Sequence, residues 1–464
     1  MHMEANNLSS VFQKNKQLFY FLGSLLVALA LTGLLREPSF TQAQTYVLFL
    51  LIFSVSLWLT EAVPPFAVGL FIITYLVFTL GYELFTSTPM DVKIYVNTFS
   101  SSVIWLMMGG FFLASAMTKT KLDADLIQIT MKVCGTKPKN ILFGLMAVTM
   151  AFSMLISNTA TTAMVIAALM PLLLKLGKGS PTGKALILGI PIAATTGGMG
   201  TLIGSPPNAI AVGALITAGH PMDFVTWIYY GLPLTLFLTL LAWWVLVKLF
   251  MKKDENLSLG DIVTTKSEIS ADFRMKRLTV VIILSVTLIL WLTSPIHNLP
   301  AAAVSAVPLV FLTLTGILKG EDVRAIGWDT LILVAGGLAL GTGLQQTGLL
   351  EIYAGKIATL EVPHVLFFFL LAYATMLFSN IMSNTATATV LIPLGMAILP
   401  QYSIEVAMII GLSASTALFL PVSTPPNAIA YSTGMIEQKD LRLGGSLIGL
   451  VGPAVIVLWV MLIS

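Results

Sequence analysis

The chain has a single cysteine, Cys134, among 464 residues. An intramolecular disulfide and a thiolate metal cluster are therefore both excluded. Histidine is nearly as scarce: His2, His220, His297 and His364 are scattered and make no metal-ligand spacing. Charge is the third shortage. Only 10% of residues are charged, against about 25% in a soluble protein, and a net charge of +3 without a basic tail gives no footing for nucleic acid. What fills the chain instead is hydrophobic sequence, 57% of it. That composition belongs to an all-α polytopic membrane protein, with the lipid bilayer as its first partner.

A spanning helix needs roughly 20 apolar residues. The sequence predicts eleven, near 17–35, 44–62, 63–82, 103–118, 185–218, 227–251, 278–294, 300–318, 328–350, 404–436 and 443–463. Two of them, 185–218 and 404–436, are long and interrupted by Pro-Pro pairs. Two further apolar pairs, 140–156 with 160–174 and 364–381 with 386–399, are each hinged at Ser-Asn-Thr. The first apolar run lacks a small-residue cleavage site and reads as a signal anchor.

Basic residues orient such a chain. The loop 252–277, with Lys252, Lys253, Lys266, Arg274, Lys276 and Arg277, is expected in the cytoplasm. Alternation then puts the N-terminus in the cytoplasm and the C-terminus outside. The first hairpin, flanked by Lys137, Lys139, Lys175 and Lys178, has both feet inside. The second, flanked by Glu361, His364, Gln401 and Glu405, has both feet outside. The tips are uncharged, which favours re-entrant hairpins over full crossings.

Four phrases occur twice, in the same order. Trp58-Leu59-Thr60 recurs as Trp291-Leu292-Thr293, Gly109-Gly110 as Gly336-Gly337, and Ser157-Asn158-Thr159 as Ser383-Asn384-Thr385. Ser205-Pro206-Pro207-Asn208 recurs as Thr424-Pro425-Pro426-Asn427. On the charge map the two Trp-bearing spans run in opposite directions, so the repeats are inverted, as in secondary transporters with a midplane site. The expected division is 1–43 for the N-terminal segment and first span, 44–251 for the first repeat, 252–277 for a cytoplasmic linker and 278–464 for the second repeat.

Polar groups in hydrocarbon line cavities or bind ligands. Ser153 and Ser157 are four apart, one face of a helix, and Asn158 adds a carbonyl oxygen where the helix breaks. Ser379, Asn384 and the freed carbonyls around Met382 repeat the set. Neutral oxygens of this kind suit Na⁺. Ser205 and Thr424 are good N-caps for helices that begin with proline, and each break frees carbonyls at Gly204 and Ser423. Each break thus offers carbonyls to a cation and a helix N-terminus to an anion. Asn208 and Asn427 fit either bracing of the breaks or ligand contact. The glycine pairs read as close helix packing, and Glu61 as an interfacial cap.

At these motifs the chain resembles the divalent-anion/sodium symporters, the carriers of dicarboxylates, citrate and sulfate, over nearly its whole length. The resemblance implies eleven spans and two re-entrant hairpins in a homodimer with scaffold and transport domains, working as an elevator in the cytoplasmic membrane. It implies a first sodium site at Ser153, Ser157, Asn158 and the Gly204 carbonyl, and a second at Ser379, Met382, Asn384 and Ser423. It implies substrate contacts from Asn158 and Thr159, from Asn384 and Thr385, and from Ser205, Thr424 and Pro425. Ser423 departs from the family's usual glycine, and Ser379 stands where threonine is as common. The expected function is sodium-coupled import of C4-dicarboxylates. A sodium-independent exchanger and a citrate or sulfate carrier remain as rivals on the same fold. An intramembrane enzyme would call for a base, a nucleophile pair or a metal set beside the motifs, and none is there.

Overall fold

The computed structural model describes residues 2–251, 270–358 and 363–464. Lys252, Lys253 and Lys266 of the expected linker and Glu361 beside the second hairpin lie outside the described residues. Among the described residues there is no strand, and helices follow one another with short connections. Eight are long and apolar enough to cross a membrane, or nine if the bent pair Asn384–Ile398 and Pro400–Thr416 counts as one span.

Local chemistry sets many helix starts. Pro65, Pro138, Pro181, Pro206 and Pro425 each open a helix, where a missing N–H costs nothing. Thr41, Asp223 and Ser270 cap others through side-chain oxygens, and Ser180 caps the helix that Pro181 opens. Glu61 is the C-cap of Gln42–Thr60, exposed and in the left-handed region at φ 50°, as the capping reading expects. The outward faces carry exposed Leu26, Leu70, Phe78, Leu240, Leu370 and Leu458, an apolar exterior suited to lipid.

The same local arrangement occurs twice. The Trp58 indole donates to the Pro65 carbonyl at 3.3 Å, and the Trp291 indole donates to the Ala301 carbonyl at 3.0 Å. Each tryptophan ties the end of one apolar helix to the start of the next. The helix Pro65–Gly81 packs along Trp328–Gln346, and Ala306–Leu314 packs along Ser102–Lys119. The glycine pairs sit at these seams. Gly336 lies against Gly69, and a Cβ on Gly109 would stand 2.6 Å from the Ser305 Cβ. The second glycine of each pair faces a motif element instead: Gly110 abuts Ile203, and Gly337 abuts Thr389. Small residues here let backbones approach closely.

Candidate functional site

Each Ser-Asn-Thr phrase forms the tip of a helical hairpin. In the first, the incoming helix Pro138–Ser153 stops, residues 154–157 turn, and Asn158–Leu176 leaves. Ser157 Oγ accepts from the Ala160 N–H at 3.5 Å. In the second, His364–Ile381 gives way at Met382 and Asn384–Ile398 follows, with Ser383 Oγ accepting from the Ala386 N–H at 3.1 Å. One expectation is corrected here. Ser153 and Ser157 do not share a helix face, because the helix ends at Ser153 and Ser157 is the exposed N-cap of the next one.

The Pro-Pro phrases form two breaks. Pro181–Gly197 passes through a 3₁₀ turn, Gly198–Gly200, and a short loop to the exit helix Pro206–Thr217. Ser403–Ser413 passes through Ala414–Thr416 and a loop to the exit helix Pro425–Ser432. Thr424 Oγ1 accepts from the Asn427 N–H at 3.3 Å. Ser205 holds the same N-cap position, but its hydroxyl makes no capping bond. Asn208 Nδ2 donates to the carbonyls of Gly198 and Thr201, both at 2.8 Å. Asn427 Nδ2 donates to those of Leu418 at 3.2 Å and Leu420 at 3.0 Å. Through Nδ2 both asparagines brace the breaks, one of the two readings the sequence left open, while Asn208 Oδ1 is buried without a partner.

The first tip sits on the first break. One terminal atom of the Asn158 carboxamide lies 2.5 Å from Ser153 Oγ and 3.2 Å from the carbonyl oxygens of Gly204 and Ala194. All three of those neighbours are oxygens. With the nitrogen at that position, the amide donates to them; with the oxygen there, the Ser153 hydroxyl donates to it, and the carbonyl oxygens of Gly204 and Ala194 face it with no proton between them. Gly198 makes room for this side chain, since a Cβ there would come within 2.6 Å of it. Thr201 Oγ1 donates to the Met154 carbonyl and fastens the turn to the loop.

The second tip uses different atoms. Ser379 Oγ, fully buried, and Asn384 Oδ1 have no hydrogen-bond partner, nor do the hydroxyls of Thr387, Ser413 and Ser415. Threonines on the same two helices do bond their own backbone: Thr375 donates to Leu371 at 2.6 Å and Thr389 to Thr385 at 2.9 Å. A hydroxyl that forgoes that bond in a dry interior is free to take a ligand, a state shared by Thr161, the first-half counterpart of Thr387, and by Ser54 away from both tips. The tie between tip and break falls to Asn380, whose Oδ1 accepts from the Phe419 N–H at 2.9 Å and from Ser423 Oγ at 2.7 Å.

The sequence reading passed over Asn380, Ser413, Ser415 and the Ala194 carbonyl. A usable signal was there: Ser413-Ala414-Ser415-Thr416 stands where Ala194-Thr195-Thr196-Gly197 stands before the first Pro-Pro pair. Of the expected site residues, Gly204, Ser205, Met382, Thr385, Ser423 and Thr424 are buried, Thr159 is half-buried and Pro425 is exposed.

The two halves interlock around these tips. The exit helix Pro206–Thr217 packs on Asn384–Ile398 of the second hairpin, and Pro425–Ser432 packs on Asn158–Leu176 of the first. Crevices lie on two sides of Pro206–Thr217. One, of about 320 Å³, is bounded by Gly337, Thr342 and Pro393; the other, of about 550 Å³, by Val103, Pro221 and Ser294.

The family model for citrate transporters (CitMHS) matches residues 55–407. A sodium-dependent dicarboxylate transporter of Staphylococcus saprophyticus is 29% identical, over 94% of this chain and 89% of its own length. An uncharacterized transporter of Haemophilus influenzae is 31% identical, over 97% of both chains. Among solved structures, the YdaH transporter of Alcanivorax borkumensis shares the fold at 15% identity and a TM-score of 0.53, covering 86% of this chain and 99% of that one. MtrF of Neisseria gonorrhoeae shares it at 13% identity and a TM-score of 0.54, over 86% and 94%. A chain whose apolar helices carry two hairpin tips seated on two helix breaks, and which the family model matches over most of its length, belongs to the citrate transporter family; it is an integral membrane transporter and not an enzyme.

Proposed function

We propose that this transporter imports C4-dicarboxylates such as succinate, coupled to Na⁺. The observation that carries the reading is the convergence of the Ser153 hydroxyl and the Gly204 and Ala194 carbonyl oxygens on one end of the Asn158 carboxamide, a cluster of neutral oxygens that the amide N–H groups also satisfy. The unpartnered Ser379 and Asn384 oxygens support a second cation position in the other half. Side-chain hydroxyls, amides and unwound carbonyls are the ligands that transporters offer Na⁺. Bound sodium supplies the positive charge that a dianion needs at a site whose own motifs contain no lysine or arginine. Relatives named sodium-dependent dicarboxylate transporters support both the ion and the substrate class.

In this reading Ser153, Asn158 and the Gly204 carbonyl hold one ion, and Ser379, Asn384 and the carbonyls of Met382 and Ser423 hold another. The carboxylates meet Thr159 and Thr385 and the helix N-termini behind Ser205 and Thr424. Eleven spans and two re-entrant hairpins form inverted repeats, and the transport elements slide against a dimeric scaffold. Two ion pairs fit the charge map by joining helix ends that it puts on one side: Lys184 with Asp440 at 2.8 Å, and Arg277 with Asp125 at 2.5 Å.

The test is uptake of radiolabelled succinate into proteoliposomes, with and without an inward Na⁺ gradient. Uptake that requires Na⁺ and steepens with its concentration supports the symporter; uptake without Na⁺ that needs internal dicarboxylate establishes an exchanger. The family's own description favours citrate as a second reading, and labelled citrate in the same vesicles separates the two.

A further inference from the structure

We infer that Asn380 and Ser423 act as one clamp that sets the sodium affinity of the second half-site. The inference rests on the sodium-coupled reading above. Its basis is an asymmetry between the two breaks. At the first, Gly204 has no room for a side chain: a Cβ would stand 2.6 Å from the Gly198 carbonyl oxygen and 3.0 Å from that of Ser153. The matching position at the second break is Ser423, and the residue matching Met154 of the first tip is Asn380. The pair Met154 and Gly204 is thus replaced by Asn380 and Ser423.

The replacement is chemically complete. Ser423 Oγ donates to Asn380 Oδ1 at 2.7 Å and accepts from the Leu420 N–H at 3.0 Å. Asn380 Oδ1 also takes the Phe419 N–H at 2.9 Å, and its Nδ2 donates to the Met376 carbonyl at 2.9 Å. Asn380 is 5% exposed and Ser423 4%, so water does not compete for these bonds. At this pair of positions the first half is closed by backbone around Gly204, with the Thr201 hydroxyl on the Met154 carbonyl, and the second by two side chains bonded to each other. The clamp holds the loop 417–424 against the hairpin that carries Ser379 and Asn384, and so sets where the Ser423 main-chain oxygen stands relative to theirs. Asn380 is a positioning residue and touches neither ion nor substrate.

Purified protein is titrated with NaCl at constant ionic strength, and the midpoint of Na⁺ protection against thermal unfolding is read alongside the Na⁺ dependence of uptake. Asn380→Ala and Ser423→Ala are each expected to raise the Na⁺ midpoint about fivefold. The double variant is expected to do no more than either single one. The KM for succinate at saturating Na⁺ stays within about twofold in Asn380→Ala, whereas a merely structural role would lower the amount of active protein without moving the midpoint. Should Asn380→Ala fail to fold, Ser423→Ala removes one hydroxyl and carries the same test. Variant midpoints unchanged beside a responsive wild type overturn the clamp alone, as does a double variant whose shift is the product of the singles. A wild type with no Na⁺ response overturns the coupling reading and the clamp with it.

Discussion

Asn208 holds the first break shut through Gly198, donating at 2.8 Å to a carbonyl ten residues back along the chain. The same amide also serves Thr201. Removing it in Asn208→Ala strands two buried acceptors at a cost of about 1–3 kcal/mol. A lowered Tm in detergent is the expected result, and Asn427→Ala is expected to act in the same direction. An unchanged Tm with a lost Na⁺ response would make Asn208 a ligand and not a brace.

Asn158 and Asn384 are different in kind. Asn158→Ala and Asn384→Ala should each abolish Na⁺-driven uptake and leave a folded, monodisperse protein. Size-exclusion profiles and vesicle uptake together check this. Near-normal transport in both variants would sink the assignment of the tips as the site.

Gly198→Ala probes the first tip without replacing a candidate ligand, its Cβ standing 2.6 Å from the Asn158 carboxamide and 3.0 Å from the Gly204 carbonyl oxygen. The new methyl would press on the Asn158 carboxamide, the movable end of a side chain. The amide should swing away from Ser153 and Gly204, weakening Na⁺ protection against heat while the fold persists. A Na⁺ titration equal to that of the wild type would show that the carboxamide position does not matter to the ion.

Lys184 and Asp440 form a part-buried ion pair, their side chains 16% and 4% exposed. Lys184→Met leaves the Asp440 carboxylate with the Glu437 N–H but no cation, a loss of about 1–3 kcal/mol. Adding Asp440→Asn removes the charge while an oxygen remains for the Glu437 N–H that Asp440 now accepts. Most of the lost Tm should return in the double variant; a double variant as unstable as the single one would assign the loss to packing.

Much of this architecture was legible because polar residues are conspicuous in apolar sequence. The two Ser-Asn-Thr tips and the two Pro-Pro breaks stood out, and each lies where its helix-breaking chemistry put it. The tryptophan repeat was legible as a pattern, but its cause, an indole bonded to the carbonyl of the next helix, was not. Sequence spacing failed at Ser157, since four-residue periodicity holds only inside one helix and the helix had already ended. It failed again at Asn380, which reads as one more polar neighbour of Ser379. Its role depends on a contact with Ser423, 43 positions away. Seats for a side chain built by distant segments leave no local trace.

The interlocking of exit helices and hairpins bears on how the protein is made. Asn158–Leu176 leaves the ribosome roughly 250 residues before Pro425–Ser432, the helix that packs on it. The first tip meets its own break soon after it is made, but the side of Asn158–Leu176 that Pro425–Ser432 covers waits until that late helix emerges. Interlocking of the two halves is thus a late, two-step event, Asn384–Ile398 meeting Pro206–Thr217 before Pro425–Ser432 can close on the first hairpin, and a nascent chain truncated ahead of residue 425 would leave Asn158–Leu176 without that cover.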